Sequence, residues 1–325
     1  MEYLLYLCAQ SLITLVRVLP WRVVARLGRA LGGLAYWLDG RHRRVALQNL
    51  ALCFGAEKSP AQIRALAREN FRRLGENFSC GVKAAFLTPA ETRHVLEAAH
   101  FERLQRAGES PPRGRVIAIG HFGNFELYAH ARQFAPEFQL ATTYRALRQP
   151  LLDRLFQGVR QRSGCLFFER RTETRALRQA MARRRLMIGF LSDQHAGDKG
   201  LWLPFLGQAC STTAAPAVFA LRYGCPLHPA ICYRVAPGRW RIEMGEEIPA
   251  RLDGRPRPVA AIMLDVNRAF EAAVRRDPAN WFWVHNRWKP VKSGAGEPGG
   301  AAAGAPAPRP QAPAPAVPAL DALPQ

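Results

Sequence analysis

Val116-Ile117-Ala118-Ile119-Gly120-His121-Phe122-Gly123-Asn124-Phe125-Glu126 is the stretch that decides the fold. Its four small or branched apolar residues predict a short buried strand, which Gly120 ends. Asn124 is a favourable N-cap, so a helix is expected from Phe125 through Ala131. His121 then stands on the strand-helix turn, where a side chain reaches a cleft. On one regular helix a five-residue spacing would rotate Glu126 about 140° away from His121. A loop followed by a first helical turn instead brings the two together. A helix N-terminus favours the ionised carboxylate, and a carboxylate on an imidazole raises its basicity and fixes its tautomer. The expectation is a catalytic general-base dyad, His121 with Glu126, that lacks a nucleophile of its own. The substrate must bring one, typically a hydroxyl, and an activated acyl group is the natural partner. The competing reading is a histidine that merely hydrogen-bonds backbone.

Downstream of this stretch, strands and helices alternate. Strands are expected at 140–144, 165–168, 186–191, 227–233 and 239–244, and helices at 150–162, 172–184, 212–222 and 259–276. Strands separated by helices of ten or so residues indicate an α/β fold with a central, largely parallel sheet flanked by helices. Ligands in such sheets bind beyond the carboxyl ends of the strands. His121, Tyr144-Arg145, Arg170 and Ser192-Asp193-Gln194 all fall there, which strengthens the catalytic reading.

Upstream lies an uncharged, mostly apolar run from Tyr3 to Val16, broken by Arg17. No basic residue precedes it and no small-residue cleavage site follows, which argues against a cleaved signal peptide. It is shorter than the ~20 residues of a clean transmembrane span. The next segment, 23–38, is amphipathic and carries Arg22, Arg26 and Arg29, with Arg41-His42-Arg43-Arg44 behind it. Apolar surface edged by arginine suits an interfacial membrane anchor. A single span and an interfacial anchor both stay open. Residues 59–108 read as helices, with Ser59-Pro60 and Thr88-Pro89-Ala90-Glu91 as starts. Three parts follow: a membrane-anchoring helical segment at 1–40, a main domain at 41–292, and a disordered Gly/Ala/Pro-rich tail at 293–325.

Lys and Arg number 46 against 25 Asp and Glu, a formal net charge of +21. Such an excess attracts polyanions: nucleic acid, anionic headgroups, phosphorylated substrates or an acidic carrier protein. The seven cysteines are odd in number, form no C-x-x-C and lie mostly in apolar runs. Neither a metal site nor a disulfide framework is expected; reduced core thiols fit better. The stretch Asn280-Trp281-Phe282-Trp283-Val284-His285-Asn286-Arg287-Trp288-Lys289 suits a membrane interface, base stacking or a core cap.

Together these pieces resemble the lysophospholipid-type acyltransferase superfamily, and within it the bacterial lipid A biosynthesis acyltransferases. The H-x4-D/E signature stands as His121 to Glu126, and G-x-x-F-x-x-R as Gly164 to Arg170. A Pro-centred strand resembles Cys225-Pro226-Leu227-His228-Pro229-Ala230. Tyr144-Arg145 before Pro150-Leu151-Leu152-Asp153, Asp193-Gln194, Pro204-Phe205-Leu206-Gly207 and the Trp-rich end are features of the lipid A branch. Where glycerol-phosphate acyltransferases carry E-G-T-R, this chain reads Ser192-Asp193-Gln194-His195. That departure counts against a glycerolipid acceptor. The resemblance runs to about Lys289.

The resemblance implies transfer of a fatty acyl group from an acyl carrier protein thioester to a hydroxyl of a lipid A precursor. It implies no cofactor beyond that co-substrate, a place on the cytoplasmic face of the inner membrane with its anionic leaflet, and no nucleic-acid partner. His121 would take the hydroxyl proton, Glu126 would orient the imidazole, and Gly123, Asn124, Arg145, Arg170, Asp193 and Gln194 would bind substrate. Arg145, Arg170 or backbone N–H groups near Gly123 are candidates for the oxyanion. The rival classes are an acyltransferase on another lipid or glycolipid, a lipid carrier without catalysis, and a nucleic-acid-binding protein, although no nucleic-acid reading motif is present.

Overall fold

The computed structural model describes residues 2–105, 109, 113–183 and 185–289. The tail at 293–325, and most of the Pro/Gly-rich connection before the central strand, lie outside the described residues. The chain opens with α1 (Glu2–Val18), α2 (Trp21–Leu38), α3 (Gly40–Phe54), α4 (Pro60–Ala84) and α5 (Pro89–Val95). Reciprocal Ser59–Gln62 and Thr88–Glu91 capping boxes start α4 and α5, as their sequences call for. Helices and strands then alternate: β1 (Leu96–Ala99), β2 (Arg115–Ile119), a 3₁₀ helix (Phe125–Phe134), β3 (Gln139–Tyr144), α6 (Pro150–Gln161), β4 (Leu166–Glu169), α7 (Thr174–Arg183) and β5 (Leu186–Leu191). A hairpin of β6 (Leu201–Phe205) and β7 (Gln208–Thr212) follows, then α8 (Ala215–Tyr223), β8 (Leu227–Ala236), β9 (Arg239–Met244) and α9 (Val259–Arg276).

Seven strands form the main sheet in the order β1-β9-β8-β2-β5-β3-β4, parallel at every pairing except the β8–β9 hairpin. The expected α/β architecture is therefore present. β2 is central, with Ile119 opposite Leu191 of β5 and Ala230 of β8, and all five of its residues are buried. The strand period of two assigns its faces. Val116 and Ala118 pack into the core that holds Ile188 and the Ile262, Val266 and Phe270 stripe of α9. Ile117 and Ile119 face the 3₁₀ segment, among Leu127, Leu140 and Met187. Each of the larger side chains, Val116, Ile117 and Ile119, contributes about 1.5–3 kcal/mol on full burial.

The sequence hid β1 and the β6–β7 hairpin. β1 is a four-residue edge strand, too short for a periodic signal. The hairpin turns on Leu206 and Gly207, both at positive φ, the two-residue turn whose twist matches antiparallel strands.

The expected boundary at residue 40 does not separate α2 from the fold. Gly28 and Gly32 of α2 lie directly against α4: a Cβ on Gly32 would meet the Phe71 carbonyl oxygen, and one on Gly28 the Gly75 oxygen. The two backbones touch, and Arg29 pairs with Glu69 and the buried Glu76. Residues 1–290 make one unit. The opposite face of α2 leaves Leu27, Leu31, Leu34, Trp37 and Leu38 exposed, and α1 leaves Tyr3, Leu4, Leu5, Leu12, Leu15 and Val18 exposed. Among the described residues, no helix is long and apolar enough to cross a membrane.

Candidate active site

His121 leaves the carboxyl end of β2 two residues after Ile119, as the sequence indicates. Ser192 N–H donates to the Ile119 carbonyl at 2.9 Å, which extends the β2–β5 pairing past the strand end. That register lays Asp193 under the imidazole. His121 Nδ1 lies 2.8 Å from Asp193 Oδ1, and the His121 backbone N–H donates to Oδ2 at 2.8 Å. The Trp281 indole also donates to Oδ2 at 2.8 Å. Asp193 is 1% exposed. Burial would raise its pKa, but the His121 imidazole and the backbone and indole donors outweigh burial and bring it down to about 2. An ionised Asp193 makes Nδ1 the protonated nitrogen of a neutral His121. The lone pair is then on Nε2, which sits 3.3 Å from the Gln194 amide.

Glu126 is not the partner of His121. Its carboxylate accepts from Arg160 of α6 at 3.0 Å, both side chains being about a third exposed. The physical cause lies in the turn. After Asn124 the chain winds as a 3₁₀ helix and not an α-helix, and the Asn124 side chain makes no cap bond. The first turn therefore carries Glu126 toward α6, while sheet order puts Asp193 beneath the ring.

Gly123 and Asn124 are buried and stand outside the cavity wall. Gly123 has φ +51°, and its N–H donates to the Asn280 carbonyl, so it has no hydrogen to offer an oxyanion. A Cβ there would strike the Cys232 carbonyl oxygen. These two residues seat the turn; they do not face substrate.

A cavity of about 730 Å³ opens beside His121. Its inner wall is apolar, with Phe101, Ile117, Ile119, Leu140, Met187 and Met244, while Tyr144, Arg145, Arg170 and Gln194 stand among the polar residues. Arg145 and Arg170 are exposed at the ends of β3 and β4, where the sequence places them. Gly164, at φ +71°, turns the chain into β4, and Phe167 joins the wall. This accounts physically for the G-x-x-F-x-x-R block. The cavity's cysteine, Cys165, has its thiol pushed up to about 12 by burial, so it is not a nucleophile.

Sequence reasoning offered a core cap for the closing segment 281–287 among other readings, but not its contacts with the His121 and Asp193 side chains. Trp281 fixes Asp193, and Phe282 packs on the imidazole with ring centroids 5.5 Å apart, while Phe125 meets it edge-on at 4.7 Å. His285 Nε2 accepts from the His195 backbone N–H at 3.1 Å. Arg287, 0% exposed, donates to the Gln194 and Ser211 carbonyls and to Thr212 Oγ1. The three indoles are thus neither stacking platforms nor an interfacial belt: Trp281 and Trp283 are buried, and Trp288 packs on both. The sign available beforehand was a basic and a neutral nitrogen side chain, Arg287 and His285, inside an apolar run where burial demands partners.

Comparisons with known proteins give the family. Residues 1–290 match the family profile described as bacterial lipid A biosynthesis acyltransferase. The chain is 26% identical over 284 residues to the lipid A biosynthesis lauroyltransferase of Escherichia coli K12, covering 86% of this chain and 90% of that protein. It is also 26% identical over 277 residues to the palmitoleoyltransferase of the same organism, covering 83% and 86%. A Shigella flexneri lipid A biosynthesis acyltransferase matches to the same extent. The chain belongs to the bacterial lipid A biosynthesis acyltransferase family.

Proposed function

We propose that the chain moves a fatty acyl group from an acyl carrier protein thioester to a hydroxyl of a lipid A precursor, with His121 as general base and Asp193 as its orienting carboxylate. The observation that carries this reading is the Asp193–His121 pair, which leaves Nε2 on the side of the Gln194 amide, with His121 and Gln194 both lining a cavity whose inner wall is apolar. The acceptor oxygen gives its proton to Nε2 as it attacks the thioester carbonyl. Collapse of the tetrahedral intermediate expels the carrier thiolate, which takes the proton back from the imidazolium. Asp193 stabilises that imidazolium, a contribution of roughly 10²–10⁴-fold for general-base catalysis. The Gln194 amide and the guanidinium groups of Arg145 and Arg170 are the donors that face the reacting oxygen and the acceptor phosphates. The inner apolar wall takes the acyl chain.

The surplus of cationic side chains suits an acidic carrier protein and an anionic leaflet. The exposed leucines of α2 share that helix with the exposed Arg22 and Arg26 and lie near Arg41, the combination that holds a helix in a lipid interface. On this reading the protein works on the cytoplasmic face of the inner membrane.

The test is acyl transfer by the purified chain from acyl–acyl carrier protein to a lipid A precursor, read by mass spectrometry. His121→Ala should lose at least about a hundredfold with the fold intact. Near-normal turnover in that variant removes the mechanism. Arg145→Lys and Arg170→Lys keep charge but lose the planar fork, so one of them should raise the acceptor KM with little change in kcat. Two silent variants would exclude these arginines as the phosphate contact.

A further inference from the structure

The inner wall of the cavity contains one position where a side chain is missing. Gly189 lies in the middle of β5, between Ile117 of β2 and Thr142 of β3. A glycine inside a strand weakens it, and here no positive φ requires one. Its neighbours Ile188 and Phe190 point to the other face and are buried, whereas Gly189 is partly exposed to the cavity it lines. A Cβ built there would enter the cavity and meet the Ile119 Cδ1 atom at 3.1 Å, with the next contact at 3.8 Å on the same side chain. The terminal methyl of an isoleucine can move aside, so the position tolerates volume from the protein's point of view. What added volume removes is cavity.

The place of this gap along the strand matters. Leu191, Gly189 and Met187 occupy the same face of β5, and all three line the cavity. Leu191 stands opposite Ile119 at the reaction end; Gly189 is then ~6.6 Å inward and Met187 ~13 Å inward, at strand rise. An alkyl chain whose carbonyl lies at His121 must cross the bare backbone of Gly189 to reach Met187.

We infer that Gly189 is a specificity-determining residue: its missing side chain opens the inner half of the cavity, and Met187 beyond it forms part of the floor against which acyl length is measured. This rests on the reading of the apolar wall as the acyl site.

The experiment uses the full-length protein and a homologous series of saturated acyl–acyl carrier protein donors, with kcat/KM measured for each length. Gly189→Val should move the optimum to shorter chains, costing the longest good donor at least about tenfold relative to shorter ones, the order expected per methylene in an apolar pocket. Gly189→Ala should move it the same way by less, and Met187→Ala should move it toward longer chains. Melting temperature checks the fold; a β-branched residue suits a strand, so Gly189→Val should not lower it. An unchanged length profile in both Gly189→Ala and Met187→Ala overturns the inference, whatever Gly189→Val does. Wild-type protein that transfers no chain of any length defeats the underlying reading instead. In that event calorimetric binding of a free fatty-acid series still decides the role of Gly189: the wild-type and Gly189→Val length optima differ, or the inference falls.

Discussion

Two regions hold the His121 ring, and they differ in how they do it. The turn at 119–126 is local: β2 delivers the imidazole, Gly123 seats the loop and Phe125 covers one side. The segment at 281–287 arrives from the far end of the sequence, packs Phe282 on the ring, and locks the loop 193–195 through Trp281, His285 and Arg287. The turn positions the imidazole. The distant segment and β5 set its electrostatics. A short motif therefore locates the histidine at the cavity, while sheet order chooses the carboxylate that pairs with it.

The largest expected effect separates the two carboxylates. Asp193→Asn keeps the shape but removes the charge that holds Nδ1 protonated, so transfer should fall by roughly 10²–10⁴-fold. Glu126→Gln touches a partly exposed ion pair with Arg160 and should cost less than about tenfold. Side-by-side initial rates check this, and the reverse ranking would return the dyad to the turn.

Next in size is the distant clamp. Arg287→Met keeps volume but leaves the Gln194 carbonyl without its donor and removes one of two donors from the Ser211 carbonyl and the Thr212 hydroxyl, which keep the Ala196 N–H and the Asn267 amide. About 1–3 kcal/mol of unfolding free energy should be lost, the cost of one unpaired buried carbonyl. Denaturant titration measures it; an unchanged midpoint would mean that the segment is not the clamp described.

How far the site was legible follows from the same contrast. The strand before Gly120, the alternation behind it and α9 were readable because each depends on periodicity within a short window. His121, Arg145, Arg170 and Gln194 were readable as strand-end residues, and all four line one cavity. Asp193 was found at the right strand end but assigned to substrate. Its true neighbour depends on β5 lying beside β2, and alternating elements do not specify that order. The contact of Glu126 was not legible because the spacing implies a helical turn that the chain winds as 3₁₀, which leaves Glu126 on Arg160. Gly189 gave no sign at all, since a glycine in an apolar run acquires meaning only when the cavity in front of it is known.

A smaller effect tests the clamp through pH. Burial lowers the His285 imidazole from its ordinary 6.5 to about 4, and its Nε2 must stay unprotonated to accept from His195 N–H. Between about 6.5 and 4 the unfolded chain binds a proton that the folded one refuses, so stability declines as pH falls through that window. Burial also lowers His130 and His195, which adds to the same trend. The melting temperature should drop from pH 7 toward pH 4, and His285→Gln, which retains an acceptor, should flatten the slope. The Asp193 carboxyl, titrating at about 2 against an ordinary 3.8, contributes fully above pH 4, and its stabilisation disappears only below that.

The central claim is that Asp193, and not Glu126, holds the His121 Nδ1 proton. Proton NMR of the folded protein reads it directly, through the downfield imidazole N–H resonance that a hydrogen-bonded ring displays, assigned by its loss in His121→Ala. The resonance should persist in Glu126→Gln and vanish in Asp193→Asn. Its survival in Asp193→Asn together with its loss in Glu126→Gln would contradict the account.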